Sequence, residues 1–127
     1  MTAPEVQIRT ERIYAPSLDP SETRILVDRL WPRGVKKESV PIWAKEIAPS
    51  RELHNWYKAH NNDFAGFRDR YRKELIANPE TEKFIVYCRK QLHKGPIILC
   101  YARKDDIHNN AAVLREFLLE KLSETAE

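Results

Sequence analysis

The sequence predicts an α/β domain, a small and mainly parallel sheet flanked by helices. Three observations carry that prediction. Apolar runs at 24–27 ("RILV") and 96–102 ("PIILCYA") read as buried strands, because half-exposed strands alternate more cleanly. Between them lie three stretches with helical periodicity, a connection long enough to cross over between parallel neighbours. A last helical pattern follows the final strand, completing an α/β order.

The elements follow in turn. "VQIRTERIY" (6–14) alternates loosely and reads as a first strand, and the turn-forming "LDPSET" (18–23) introduces the second at 24–27. "GVKKESVPIWAKEIAPS" (34–50) reads as an irregular connection or short helix carrying Trp43 and Ile47. Ser50 is the expected N-cap of a helix over 51–60, with Leu53, Trp56, Tyr57 and His60 at i, i+3, i+4 and i+7. Asn62 or Asp63 caps the next, 64–77, whose inward face is Phe64, Phe67, Tyr71 and Leu75. Asn78 followed by Pro79 starts a third, since proline loses nothing at the first helical position. It carries Ile85, Cys88 and Leu92 inward and stops at "HKGP", where Gly95 is expected in the left-handed cap conformation. The run at 96–102, apolar almost throughout, is expected to be central. A last helix is expected from about Asp105 to Leu122, packing Leu114, Phe117, Leu118 and Leu122.

Length and composition set the bounds. With 127 residues the chain is one domain (1–127, core about 6–122). No apolar run approaches the ~20 residues of a membrane helix, and "MTAPEVQIRTER" lacks the apolar core of a secretory signal. A cytoplasmic location with no membrane contact is the expectation. Cys88 and Cys100 fall in apolar segments and read as buried free thiols. A net charge of +3 suits anionic ligands but falls well short of a dedicated nucleic-acid binder. Glycine occurs only at 34, 66 and 95, so there is no glycine-rich phosphate loop. His54, His60, His93 and His108 are scattered, without zinc-like spacing. No cofactor and no metal are expected.

Chemistry concentrates at two strand ends. In an open parallel sheet, ligands bind beyond the carboxyl ends of the strands. The strand at 24–27 ends in Asp28, Arg29, Trp31 and Arg33; the strand at 96–102 ends in Tyr101, Arg103, Lys104, Asp105, Asp106, His108 and Asn109. If the strands are parallel, both clusters open on one rim. Each residue also has a plainer reading. Asp28 and Arg29 could form a structural ion pair, Trp31 and Pro32 a turn packed over the core, and Asp105 a helix cap. His108, in a first helical turn, is more comfortable neutral, with Asn109 beside it. On 64–77, Asp69 can pair with Lys73 and Arg70 with Glu74, whereas Arg68 faces Arg72 at i+4. Either a carboxylate from elsewhere in the fold or a bound anion would relieve that repulsion.

"RILVDRLWPRGV", "WAKEIAPSRELHNWY", "FRDRYRKEL" and "YARKDDIHNNAAVLREFL" together resemble the YeaO-like family, domain of unknown function 488, from about Val6 to Leu119. The resemblance implies a compact, bacterial-type cytoplasmic α/β domain and no particular activity. It places the family's motif positions at Asp28, Arg29, Trp31, Pro32, Arg33 and Gly34, then at Trp43, Pro49, Ser50 and Trp56. The remaining positions are Arg68, Tyr71, Arg72, Tyr101, Asp105, His108 and Asn109. Arg103 stands where a small residue is usual, which implies a rim more basic than in relatives, and Asn110 stands where His or Gln is common, so that no second ring nitrogen is expected there.

The expected function is recognition of an anionic, phosphate-bearing ligand. Arg29, Arg33, Arg68 and Arg72 are the candidate clamps, Trp31 and Tyr101 the walls, and Asn109 a further contact. Asp28 with His108 is the candidate acid/base pair for hydrolytic or transfer chemistry. A second reading is a non-enzymatic module binding nucleic acid, which is less favoured, or a protein. In a third, the polar constellation only ties strands to helices.

Overall fold

The computed structural model describes residues 7–15, 19–40 and 42–124. Val6 and Leu18, at the edges of the predicted strand and turn, lie outside them. Four strands, β1 (Ile8–Arg12), β2 (Thr23–Leu26), β3 (Ile42–Trp43) and β4 (Ile97–Tyr101), form one sheet in the order β1-β4-β2-β3. Every neighbouring pair is parallel. Four helices complete the domain: α1 (Arg51–Ala59), α2 (Phe64–Ala77), α3 (Glu80–Leu92) and α4 (Asn110–Glu124). The predicted α/β class with a parallel sheet is the class observed. β4 is central and all five of its residues are buried.

Alternate strand residues serve two different cores. Ile8, Ile25, Ile97, Leu99 and Tyr101 pack with helical residues such as Tyr71, Leu75, Cys88, Leu114 and Phe117. On the opposite face Leu26, Ile98 and Cys100 pack with Ile13 and Val40, and with the half-buried Trp31, Val35 and Trp43. Helices therefore cover one face, and the irregular 27–40 segment covers the other. On that second side the Arg24 guanidinium donates to the carbonyls of Ile13 and Ala15 (3.3 and 3.1 Å), tying the β1–β2 connection to β2.

The helix starts follow their capping chemistry. The Ser50 hydroxyl accepts from the Leu53 amide (3.0 Å) and the Asp63 carboxylate from the Gly66 amide (3.1 Å). Asn78 Oδ1 accepts from the Glu80 amide (2.9 Å) at the start of α3.

Four expectations need correction. The 34–50 connection contains β3, whose Ile42 and Trp43 register with Ile25 and Leu26; two residues are too few to show an alternation. Gly95 is not left-handed, since Gly34 is the described glycine with positive φ (78°). Gly95 is required by crowding instead, because a Cβ there would lie 2.4 Å from the Ser21 carbonyl oxygen. His60 is exposed and stacks on Trp56 (4.2 Å between centroids) rather than facing the core. The last helix begins at Asn110, not near Asp105. Its cap is Asn109, whose Oδ1 accepts from the Ala112 amide (2.8 Å).

Candidate functional site

Because β2 and β4 are parallel neighbours, the segments leaving their carboxyl ends meet. The Asp28 carboxylate accepts from the Ala102 amide (2.9 Å), and Asn110 Nδ2 donates to the Val27 carbonyl (2.8 Å). Burial pushes the Asp28 carboxyl above the usual aspartate range, while the Ala102 amide and the Asn110 side chain pull it back. Two tryptophans hold the loop above. Trp43 Nε1 donates to the Asp28 carbonyl and Trp31 Nε1 to the Val35 carbonyl, both at 2.8 Å. Their rings meet edge to face at 5.2 Å. Gly34, left-handed with open space around its Cβ direction, turns the chain after Arg33.

The junction borders a cleft of about 340 Å³. Asp28 lies just past the end of β2 and Asn110 at the start of α4, Trp31, Pro32, Tyr57, Phe64 and Phe67 supply the apolar lining, and Arg29, His54 and Arg103 supply the basic groups. Arg29 is half-buried, and among the described residues it has no carboxylate or other hydrogen-bond partner. Arg103 lies over the Tyr57 ring, 5.2 Å from its centroid. The His54 imidazole is held below the ordinary histidine value, first by partial burial and then by the charges of Lys58, Arg29 and Arg103. Asp28 is the only acidic residue among those lining the cleft, and its carboxylate is engaged by the Ala102 amide.

The second cluster forms a polar turn ahead of α4. Asp105 Oδ1 accepts from the amides of Ile107 and His108 (2.9 Å each), and Oδ2 lies 3.0 Å from His108 Nδ1. Those two amides, followed by the His108 side chain, lower the Asp105 carboxyl to about 2. Asp105 thus caps a turn and Asn109 caps the helix. Asn109 also donates to the Asp105 carbonyl (3.1 Å) and is only 2% exposed at the cleft.

Of the residues picked out in the sequence, Asp28, Arg29, Trp31, His108 and Asn109 line the cleft. Four others do not. Arg68 and Arg72 are paired with carboxylates across the α2–α4 contact: Arg68 with Glu116, and Arg72 with Glu116 (3.4 Å) and Glu120 (2.7 Å). They are no anion clamps for this site, because acidic residues on α4 satisfy them. Arg33 is exposed and outside the cleft, and Tyr14 Oη donates to its carbonyl (2.9 Å). Tyr101, 3% exposed, is a core residue rather than a wall.

Asp28 and His108, the candidate acid/base pair, both line the cleft but are not bonded to each other. Asp28 is engaged by Ala102, whereas His108 pairs with Asp105 and sets its ring edge against Phe64 at 4.9 Å. Nor does Asp28 pair with Arg29. The predicted helix pair Arg70–Glu74 gives way to other partners. Arg70 lies over Trp56 (4.1 Å), and Glu74 accepts from the Ser50 amide (3.0 Å) and hydroxyl.

Sequence reading missed His54, Tyr57 and Phe64 as cleft residues. The two aromatics carry the helical periodicity of a core face, and no local signal separates a core aromatic from one lining a cleft. Cys88 and Cys100 are buried free thiols, pushed up by burial to about 12 and about 11. Among the described residues there is no group of three or more metal-ligating side chains, and no helix is long and apolar enough to cross a membrane.

Comparison with known proteins gives the lineage. Residues 7–127 match the family described as "Inactive DUF488-N3 subclade". "Uncharacterized protein YeaO" of Escherichia coli (strain K12) is 38% identical over 115 residues, covering 89% of this chain and 97% of that protein. "Uncharacterized protein Rv3073c" of Mycobacterium tuberculosis and "Uncharacterized protein Mb3100c" of Mycobacterium bovis are each 34% identical over 117 residues, covering 90% of this chain and 95% of theirs. No solved structure matches. This chain belongs to the YeaO-like DUF488 family.

Proposed function

We propose that the cleft binds a small anionic, phosphate-bearing ligand and holds it without turnover. The observation carrying this reading is Arg29, a half-buried guanidinium lining an aromatic cleft with no carboxylate bonded to it among the described residues, although it also borders a second cleft that holds Glu46, Glu52 and Glu74. A planar donor fork left unpaired in a confined site favours a bidentate anion. Arg103 and His54 add to the positive field, and the rings of Trp31, Tyr57 and Phe64 suit the flat or apolar remainder of the ligand.

Binding rather than catalysis is favoured because the candidate acid/base pair is engaged separately, Asp28 by a backbone amide and His108 by Asp105. The word "inactive" in the subclade's description agrees with this. The bacterial sources of the relatives and the two free buried thiols favour a bacterial cytoplasm as the setting.

Calorimetric titration with thymidine 5′-monophosphate tests the reading. Wild-type protein is expected to bind, and Arg29→Ala to lose the binding while keeping its melting temperature. Equal affinity in the two proteins would overturn it.

A further inference from the structure

We propose that the phosphate-bearing ligand is the end of a single-stranded nucleic acid, its backbone running from the cleft along a strip of cations formed by Arg33, Lys36 and Lys37. The proposal rests on the cleft holding a phosphate through Arg29, and it assigns a role to basic side chains that lie outside that cleft.

From residue 29 to 45 the sequence holds Arg29, Arg33, Lys36, Lys37 and Lys45 against a single acid, Glu38. Arg33, Lys36 and Lys37 are exposed, and among the described residues none of them forms an ion pair. The backbone that carries them is held in place. Tyr14 Oη holds the Arg33 carbonyl, Trp31 Nε1 holds the Val35 carbonyl, and Ser39 and Val40 amides close a turn on the carbonyls of Lys36 and Lys37 (3.0 and 3.1 Å). Trp31 and Pro32, immediately before this strip, line the cleft, so strip and cleft are continuous along the chain. The same contacts continue to the other strand end. The Arg12 guanidinium lies over the Tyr14 ring (4.9 Å) and donates to the Ala102 carbonyl (3.0 Å), next to the exposed Arg103 and Lys104.

Cations on a held backbone beside an aromatic recess are what single-strand binding requires: charges to track the strand and π-faces on which an unstacked base can lie. Arg33 to Lys37 reaches at most about 14 Å of extended chain, which suits a few nucleotides rather than a long lattice. A cleft of about 340 Å³ admits one splayed base, not the edge of a duplex.

Fluorescence anisotropy with a labelled thymidine hexanucleotide, with unlabelled thymidine 5′-monophosphate as competitor, tests the proposal in wild type, Arg29→Ala and the double variant Lys36→Ala/Lys37→Ala. The hexanucleotide is expected to bind at least roughly tenfold more tightly than the monophosphate at low salt. The double variant should flatten the plot of log affinity against log salt by about 1.4, 0.7 for each contact removed, and leave monophosphate binding unchanged. Arg29→Ala should weaken both ligands.

Monophosphate binding without any gain from length would overturn the strand and leave the cleft standing. Strand binding that depends on the lysines but not on Arg29 would overturn the proposal by separating strip from cleft, whereas the reading of the cleft falls only if Arg29→Ala leaves monophosphate binding unchanged. A polyglutamate peptide of equal charge that binds as tightly as the hexanucleotide would overturn it in favour of an acidic protein partner.

Discussion

Arg68 and Arg72 on α2, and Arg29 and Arg103 on the sheet rim, are similar in sequence, basic residues beside aromatics; in the fold they are opposites. Arg68 and Arg72 each meet a carboxylate of α4, where Glu116 and Glu120 repeat the same i, i+4 spacing. The two helices interlock through matched charges, and little positive potential is left over. Arg29 meets none, and Arg103 has only the ring of Tyr57. A positive charge marks a site where the fold withholds its counter-charge, not where the sequence is most basic.

The largest effect that would sharpen this contrast is on affinity. Arg29→Ala should weaken thymidine 5′-monophosphate binding by roughly 10- to 100-fold, the loss expected for a charge-assisted hydrogen bond. Titration calorimetry reads it, and a loss below twofold would break the comparison.

Asp28 comes next, and its effect is one of pH. Its folded value is raised by burial, so between the ordinary 3.8 and that higher value the folded state binds more protons than the unfolded. Stability from this group is therefore greatest below the ordinary value and falls as pH rises through the folded one. Asp28→Asn keeps an oxygen for the Ala102 amide and removes the titration. Its denaturation free energy should gain on wild type across that window; a difference that stays flat or shrinks would contradict the buried carboxylate. Asp105, lowered to about 2, acts in the opposite sense, its contribution being lost as pH falls through that value, and it cancels in the difference.

Arg103→Ala should weaken monophosphate binding less than Arg29→Ala, by about two- to fivefold, because the guanidinium is exposed and its stacking is worth ~0.5–1 kcal/mol. Competition binding checks it, and an effect as large as that of Arg29 would move the centre of the site. Arg72→Ala should be smallest, at most about 1 kcal/mol of stability in chemical denaturation, with monophosphate affinity unchanged. Weakened binding in that variant would restore α2 to the site.

Much of the fold was legible because β2, β4 and the helices carry strong local patterns. The apolar runs and 3.6-residue faces depend little on context. β3 was hidden by its length. The start of α4 was hidden because "DDIHNN" offers several residues able to cap; the Asn110–Val27 bond, 83 residues apart in sequence, places the helix start against the second strand.

The rim itself was predicted from parallel topology, and the cleft between its two clusters is where that topology puts it. Its membership was only half visible. Arg29 and Arg33 differ by four positions in one motif, yet of the two Arg29 lines the cleft, while the carbonyl of the exposed Arg33 is held by Tyr14, 19 residues earlier. Whether a carboxylate reaches an arginine is a tertiary fact, and it decided the roles of Arg68 and Arg72.

The most direct measurement follows the arginine Nε–Hε resonances of the wild-type protein as thymidine 5′-monophosphate is added. The Arg29 signal should shift and slow its exchange with solvent, with a smaller shift at Arg103, while Arg68 and Arg72 stay where they are. Movement at Arg68 and Arg72 with Arg29 silent would contradict the account.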